Sequence, residues 1–343
     1  MINKGQLPLV AITMGDAAGI GPQVIVKALS LDQVYQWCRP LIIGDLGVLE
    51  AAAQLCEVKL NFRPVTQPAQ VANEGKMLAV LDLKNVNREA LVWGELSVQA
   101  GQASIEYIKQ ATSLALAGKV DAICTAPINK EAINAAGHHY AGHTQLLAEL
   151  TRTKNYVMML ACSKLRVALV TTHMPLAEVS SRLSCERVVS IARTVHNSMG
   201  SFFNLKQPRL ALCAFNPHGG EGGLFGYEER DILQPAVRLL QAEGINIQGP
   251  SASDTLFVKA VAGGYDAVIS LYHDQGLIPI KLLGFGAAVN LTLGLPIIRT
   301  SVDHGTAFDI AALNQANPGS LLEAIRLAAE IVVIREQGKI SGG

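Results

Sequence analysis

Short apolar β-type runs alternate along this chain with longer segments of helical periodicity, and Gly or Pro marks most of the breaks between them. PLVAIT (8–13) reads as a first strand. The Gly-rich turn MGDAAGIGPQ follows, and then the helical run VIVKAL, with Pro22 at a first-turn position: a βα unit. PLIIGD (40–45) repeats the strand. The segment from Val58 to Val92 is mixed and carries short strands and loops. From Gly101 a helical pattern runs to a C-cap at Gly118, and a strand over 119–124 ends in Thr125, Pro127, Asn129 and Lys130. Thr144 starts a helix through Leu150. YVMMLACS and LRVALVTT (156–172) form a hairpin around Ser163 and Lys164. A helix over Cys185–Met199, a strand over 209–215, a helix over 228–243 and a final helix over Leu321–Ile334 complete the alternation. Asp254 is placed as an N-cap. The pattern predicts α/β layers with no internal repeat and no low-complexity linker.

One stretch departs from this regular alternation. Between Asp266 and Asp309, three β-type runs (AVISLY, AAVNLT and PIIRTS) lie between frequent Gly and Pro breaks. Among them sit His273, His304, Lys281, Asn290 and Arg299. Several strand ends and loops at one sheet edge is the reading, and in α/β folds that edge is where sites are built.

Composition narrows the function classes. Half of the 343 residues are hydrophobic, 16% are charged and 5% aromatic, which suits well-buried parallel sheets in one large or two medium domains. Lys+Arg and Asp+Glu stand at 28 each, with no polybasic run, so nucleic-acid binding has little support. No stretch has 18 consecutive apolar residues and the N-terminus carries no signal-like segment, so a soluble, cytoplasmic protein with no membrane partner is expected. The six cysteines lack CxxC spacing and read as buried free thiols.

His173, His218 and His273 each follow a predicted strand, beside Pro, Gly or Asp. Three imidazoles delivered at strand ends suit a divalent ion such as zinc, cobalt or manganese; the alternative is that each merely caps a turn. GDAAGIGPQ is neither GxGxxG nor a Walker sequence and serves equally as a tight turn placing a helix on the sheet. GHTQLLAEL presents His143 and Thr144 at a helix N-terminus, where unpaired amides attract anions, or is an ordinary Thr-capped helix. Lys281 and Arg299 sit in apolar surroundings (KLLGFG, LPIIRTS) and need an anionic partner, either a structural carboxylate or a bound phosphate or carboxylate. HGTAFDIA is a site loop or a helix start.

Taken together, GDAAGIGP, TAPINKEA, GHT, THMPL, NPHGGEGG, YHDQG, the Lys281–Asn290 stretch and LPIIRTSVDHGTAFDIA resemble the 4-hydroxythreonine-4-phosphate dehydrogenase (PdxA) family, in order and over nearly the whole chain. HGTAFDIA with Ala316, Asn317 and Pro318 also looks like the adenosine-binding loop of isocitrate and isopropylmalate dehydrogenases, which bind NAD without a Rossmann fingerprint. The resemblance implies two α/β/α domains with mostly parallel sheets: 1–125 plus 305–343, and 126–304 with the metal and dimer contacts, the active site lying in the cleft between. It implies a homodimer with a shared active site and one divalent cation (Zn, Co, Mg or Mn) on His173, His218 and His273. It implies substrate binding by His143, Thr144, Lys281, Asn290 and Arg299, and NAD or NADP binding by His304, Gly305, Thr306, Ala307 and Asp309. Asp254 and Asp303 match polar positions near the site, and His143, Asp254 and Lys281 are the catalytic candidates.

The implied reaction is oxidation and decarboxylation of a 4-phosphorylated 3-hydroxy acid. The leading substrate is 4-(phosphooxy)-L-threonine, in pyridoxal phosphate biosynthesis, and 4-phospho-D-threonate or 4-phospho-D-erythronate is the alternative. A zinc hydrolase using Glu221 is the reading from a different class. Two departures stand out: Ala17 and Gln23 replace the family's usual Pro and acidic residue in the first loop. Leu224-Phe225, where the biosynthetic enzyme more often has His-Met, leans toward the sugar-acid branch.

Overall fold

The computed structural model describes residues 6–72 and 77–341, with side chains to 338, and divides into two compact units: residues 1–153 with 295–343, and 154–294. The first five residues, and 73–76 within the mixed segment, lie outside the described residues.

In the first unit, β1 (Leu9–Thr13), β2 (Arg39–Gly44), β3 (Asn61–Val65), β4 (Met77–Asp82), β5 (Ala122–Thr125) and β12 (Arg299–Val302) run in the order β3-β4-β2-β1-β5-β12. Every neighbouring pair in this row is parallel. β1 is buried at all five positions, which is why it reads as a continuous apolar run rather than an alternation. The helix Gly21–Leu29 carries Pro at its first turn, as the pattern predicts. The helix Val98–Leu116 is capped by the Ser97 side chain, and Gly118 takes the left-handed conformation just past its end.

The second unit holds β6 (Val157–Cys162), β7 (Leu165–Leu169), β8 (Leu210–Cys213), β9 (Ile247–Ser251), β10 (Ala267–Ser270) and β11 (Val289–Leu293) in the order β11-β6-β7-β10-β8-β9. β6 is antiparallel to both neighbours, and the predicted β6–β7 hairpin is present. β7, β10, β8 and β9 are parallel. All six cysteines are free. Among the described residues no helix is long and apolar enough to cross a membrane.

Three expectations are corrected. The unit boundaries fall after Thr153 and Gly294, not after 125 and 304, because the helix Lys130–Ala135 packs on Val98–Leu116 and β12 pairs with β5. The three β runs of 266–309 are strands, but what lies between β10 and β11 is a helix, His273–Gly284, with Pro279 inside it. Its first glycine is a packing device: a Cβ on Gly276 would lie 2.8 Å from both Leu169 and Val167 side chains, so the helix settles against β7 only because none is there. Asp254 is not an N-cap; Ala252 holds that position and Asp254 lies within the first turn of Ser253–Val261.

Candidate functional site

In the second unit the strand-end histidines arise as the pattern suggests. β7, β10 and β8 are adjacent and parallel, so their C-terminal ends share one edge, and His173, His273 and His218 follow those ends. The His173 and His273 rings lie with centroids 5.2 Å apart. His273 Nδ1 donates to the Asp274 carboxylate at 2.7 Å, since a carboxylate can only accept; in the neutral imidazole this bond leaves the lone pair on Nε2, the tautomer a metal ligand needs. Gln275 fixes this corner: its Oε1 accepts the Leu271 N–H at 2.7 Å, and its Nε2 donates to the Ala214 carbonyl at 2.7 Å. In the sequence Gln275 stands out only as part of the YHDQG motif.

His218 is presented differently. It opens a run of left-handed residues, His218 to Gly223, with φ between 41° and 106°. Glycines take this backbone freely, whereas His218 and Glu221 are held in it. The expected cluster of three imidazoles is not assembled within the chain: among the described residues, no group of three or more His, Cys, Asp or Glu side chains is placed to hold a metal ion. The His173 and His273 rings come together, and His218 completes no such group with them among the described residues.

Lys281 lies half-buried on the helix His273–Gly284, and Asn290 is on β11 with its side-chain carbonyl buried and without a hydrogen-bond partner. Asp254 is exposed, its Oδ1 accepting the Thr255 N–H at 2.9 Å.

The first unit gathers a second constellation. Arg299 opens β12 and is 2% exposed, and its Nη2 donates to Thr125 Oγ1, at the end of β5, at 2.8 Å. Burial holds its guanidinium down to about 10, against a smaller opposing influence from Cys124. His143 and Thr144 begin the helix His143–Leu150, one residue earlier than expected. Burial, and secondarily the charge of Arg299, hold the His143 imidazole well below its ordinary range, so it is neutral at pH 7, and its Nε2 is buried with no hydrogen-bond partner. A neutral imidazole near a buried guanidinium is chemistry that would suit an anion in a low-dielectric setting.

The loop from Asp303 to Ala311 is a site-loop candidate rather than a helix start: Ala307 is left-handed and only Phe308–Ile310 makes a 3-10 turn. His304 Nδ1 meets the Gly305 carbonyl at 3.0 Å, and Asp309 lies in the turn. GDAAGIGPQ lies beneath it as a brace. Ile20 N donates to the Thr306 carbonyl at 3.0 Å, and a Cβ on Gly19 would come within 2.9 Å of Thr306. Gln23, the departure from the family's acid, donates to the Ala311 carbonyl, and Lys27 Nζ to those of Asn314 and Ala316 at 2.8 and 2.9 Å. Ala17 is fully buried in the same loop.

Asp16, in that brace, is fully buried and has one oxygen without a partner. Burial pushes its carboxyl up from 3.8 to about 6, against the opposing N–H groups of Ala18 and Asn129. The folded state therefore holds the proton more tightly than the unfolded chain. Stability is full below pH 3.8 and falls as pH rises through the window up to 6, leaving a penalty of roughly 3 kcal/mol above it. Asp16→Asn is expected to unfold later than the parent at pH 8 and together with it near pH 3.5, as read by denaturant midpoints. Equal midpoints at pH 8 would show that the ionised carboxylate is not disfavoured.

The family model described as "Pyridoxal phosphate biosynthetic protein PdxA" matches residues 36–328. A protein of Trichlorobacter lovleyi named 4-hydroxythreonine-4-phosphate dehydrogenase is 45% identical over 331 residues, covering 96% of this chain and 98% of that one. One of Cupriavidus necator named D-threonate 4-phosphate dehydrogenase is 47% identical over 330 residues, covering 96% and 98%. The crystal structure of 4-hydroxythreonine-4-phosphate dehydrogenase from Klebsiella pneumoniae superimposes with a TM-score of 0.89 at 41% identity, covering 96% of this chain and 99% of that one.

Proposed function

The chain belongs to the PdxA family and is an oxidoreductase, and on that premise we propose that it oxidises and decarboxylates a 4-phosphorylated 3-hydroxy acid with NAD or NADP and a divalent cation. The observation that carries the proposal is the match over 36–328 together with the constellation of Arg299, Thr125 and His143. The leading substrate remains 4-(phosphooxy)-L-threonine, which would give 3-amino-2-oxopropyl phosphate and CO2. The sugar-acid reading, with 4-phospho-D-threonate or 4-phospho-D-erythronate giving dihydroxyacetone phosphate and CO2, is favoured by Leu224-Phe225 and by the name of the Cupriavidus relative. The hydrolase reading gains no support from relatives named as dehydrogenases.

In this reading Arg299, Lys281, Asn290 and Thr144 bind the anionic ends of the substrate by charge-assisted and neutral hydrogen bonds. His143, held neutral, offers an uncharged hydrogen-bonding nitrogen to the hydroxyl rather than a strong base. Asp254, on the surface and bonded to its own helix, is the weaker base candidate. The loop His304, Gly305, Thr306, Ala307 and Asp309, braced from below, is our nucleotide site. The C3 carbon gives up its hydrogen as a hydride and the C3 hydroxyl its proton, leaving a ketone; the carboxylate, now β to that ketone, leaves as CO2 and the C2 carbon takes up a proton. Bound NAD would accept the hydride, and a divalent cation would lower the hydroxyl pKa and stabilise the developing enolate charge.

The residues fit such a cation in donor chemistry: two adjacent imidazoles, one with its tautomer set by Asp274. A complete set needs a further donor, which we place on a second copy in a homodimer. The second unit exposes Leu224, Leu282 and Phe285 at 72, 81 and 88%, large apolar side chains that association with a second copy would cover. The test is to incubate the protein with NAD or NADP, a divalent metal and each phosphorylated acid in turn, following reduced nucleotide by absorbance. The acid that yields it identifies the branch, and no signal with any of them sinks the proposal.

A further inference from the structure

We propose that Glu229 is the positioning residue for His218: its carboxylate clasps the start of the left-handed loop and fixes where that imidazole is delivered. Glu229 is 4% exposed at the start of the π-turn Glu229–Leu233. Its Oε1 accepts the backbone N–H of Phe215 at 2.8 Å and of Asn216 at 2.7 Å, and its Oε2 accepts the Asn216 side-chain N–H at 2.9 Å. Three donors on one buried carboxylate offset its desolvation, and all three belong to the two residues that launch the loop.

The glycines of the loop are matched to this clasp. A Cβ on Gly220 would lie 2.8 Å from Glu229 Oε2, and one on Gly226 would lie 2.6 Å from Glu228 Oε2, so both must be bare for the carboxylates to close. The neighbouring Glu228 extends the clasp. Its Oε2 accepts from Asn216 Nδ2 at 2.8 Å and its Oε1 from Ser180 Oγ at 2.7 Å, which ties the loop to the segment that follows His173. A backbone with His218 and Glu221 both in the left-handed region does not hold its shape unaided. The acidic pair supplies the constraint.

The link to metal rests on His218 being a ligand, so the experiment separates the two. Glu229→Gln, Glu229→Ala and His218→Ala are compared with the parent in two ways: hydrogen exchange of the Phe215 and Asn216 amides in metal-free protein, and Zn2+ affinity by chelator competition. Glu229→Ala is expected to speed exchange of both amides and to weaken Zn2+ binding about 10- to 100-fold, as loss of an outer-shell partner does. Glu229→Gln keeps an oxygen for the two backbone donors but sets its amide against Asn216 Nδ2, and falls between. It carries the test if the alanine variant does not fold. Unchanged exchange overturns the clasp. Faster exchange with parental Zn2+ affinity shows a purely structural acid and overturns the positioning role. Parental affinity in His218→Ala refutes the ligand reading itself, and with it the link between clasp and metal.

Discussion

Arg299→Met is expected to lose about 30- to 5,000-fold in kcat/KM while unfolding no earlier than the parent protein. The functional half follows from what a guanidinium does in a buried cradle: removing a charge-assisted, desolvated contact to an anion costs about 2–5 kcal/mol, and a thioether supplies nothing in return. The stability half follows from the same burial. Burial already pulls the guanidinium down to about 10, so an apolar side chain of similar length removes that penalty in exchange for polar contacts such as the bond to Thr125. Steady-state kinetics alongside a thermal melt checks both. A variant that is inactive because it is unfolded would mean that Arg299 is structural, and one that keeps parental kcat/KM would remove it from the anion site.

His273→Ala is expected to weaken retention of a divalent cation by more than about 100-fold, beyond what an outer-shell change produces, and to abolish turnover. The fold has little reason to suffer, since the imidazole is partly solvent-facing and its hydrogen-bond partner, Asp274, is exposed. Metal content after dialysis, read with a far-UV spectrum, tests it. Parental metal content in a folded variant would show that the His173–His273 pair is a ring contact and nothing more.

Much of this was legible from pattern alone. The strands β1, β2, β5 to β8 and β10 to β12 lie in apolar runs short enough to exclude long helices. The hairpin at Ser163 and Lys164 and the cap at Gly118 carry their own turn chemistry. The helix His273–Gly284 was not, because Gly276, Pro279 and Gly284 are local breakers. Only tertiary packing against β7 makes the first an asset. The strand-end origin of the three histidines could be read, but their mutual distance could not, since it depends on a left-handed loop whose stabilising acid lies eleven residues from the imidazole in sequence. Gln23 looked like a lost charge; in the structure it is an amide donor to the loop above it. Side-chain-to-backbone bonds across 288 residues leave no periodic trace.

The arrangement of the two units carries a consequence for how the protein is made. β12 joins β5, and the helix Gly319–Ser341 packs on both, so the first unit cannot close its sheet until more than 170 residues beyond β5 have left the ribosome. The second unit is one contiguous piece and can consolidate while the first still waits for its last strand. Emerging chains therefore pass through a stage in which β5 presents an unpaired, apolar edge, the point at which a chaperone or a misplaced neighbour would act.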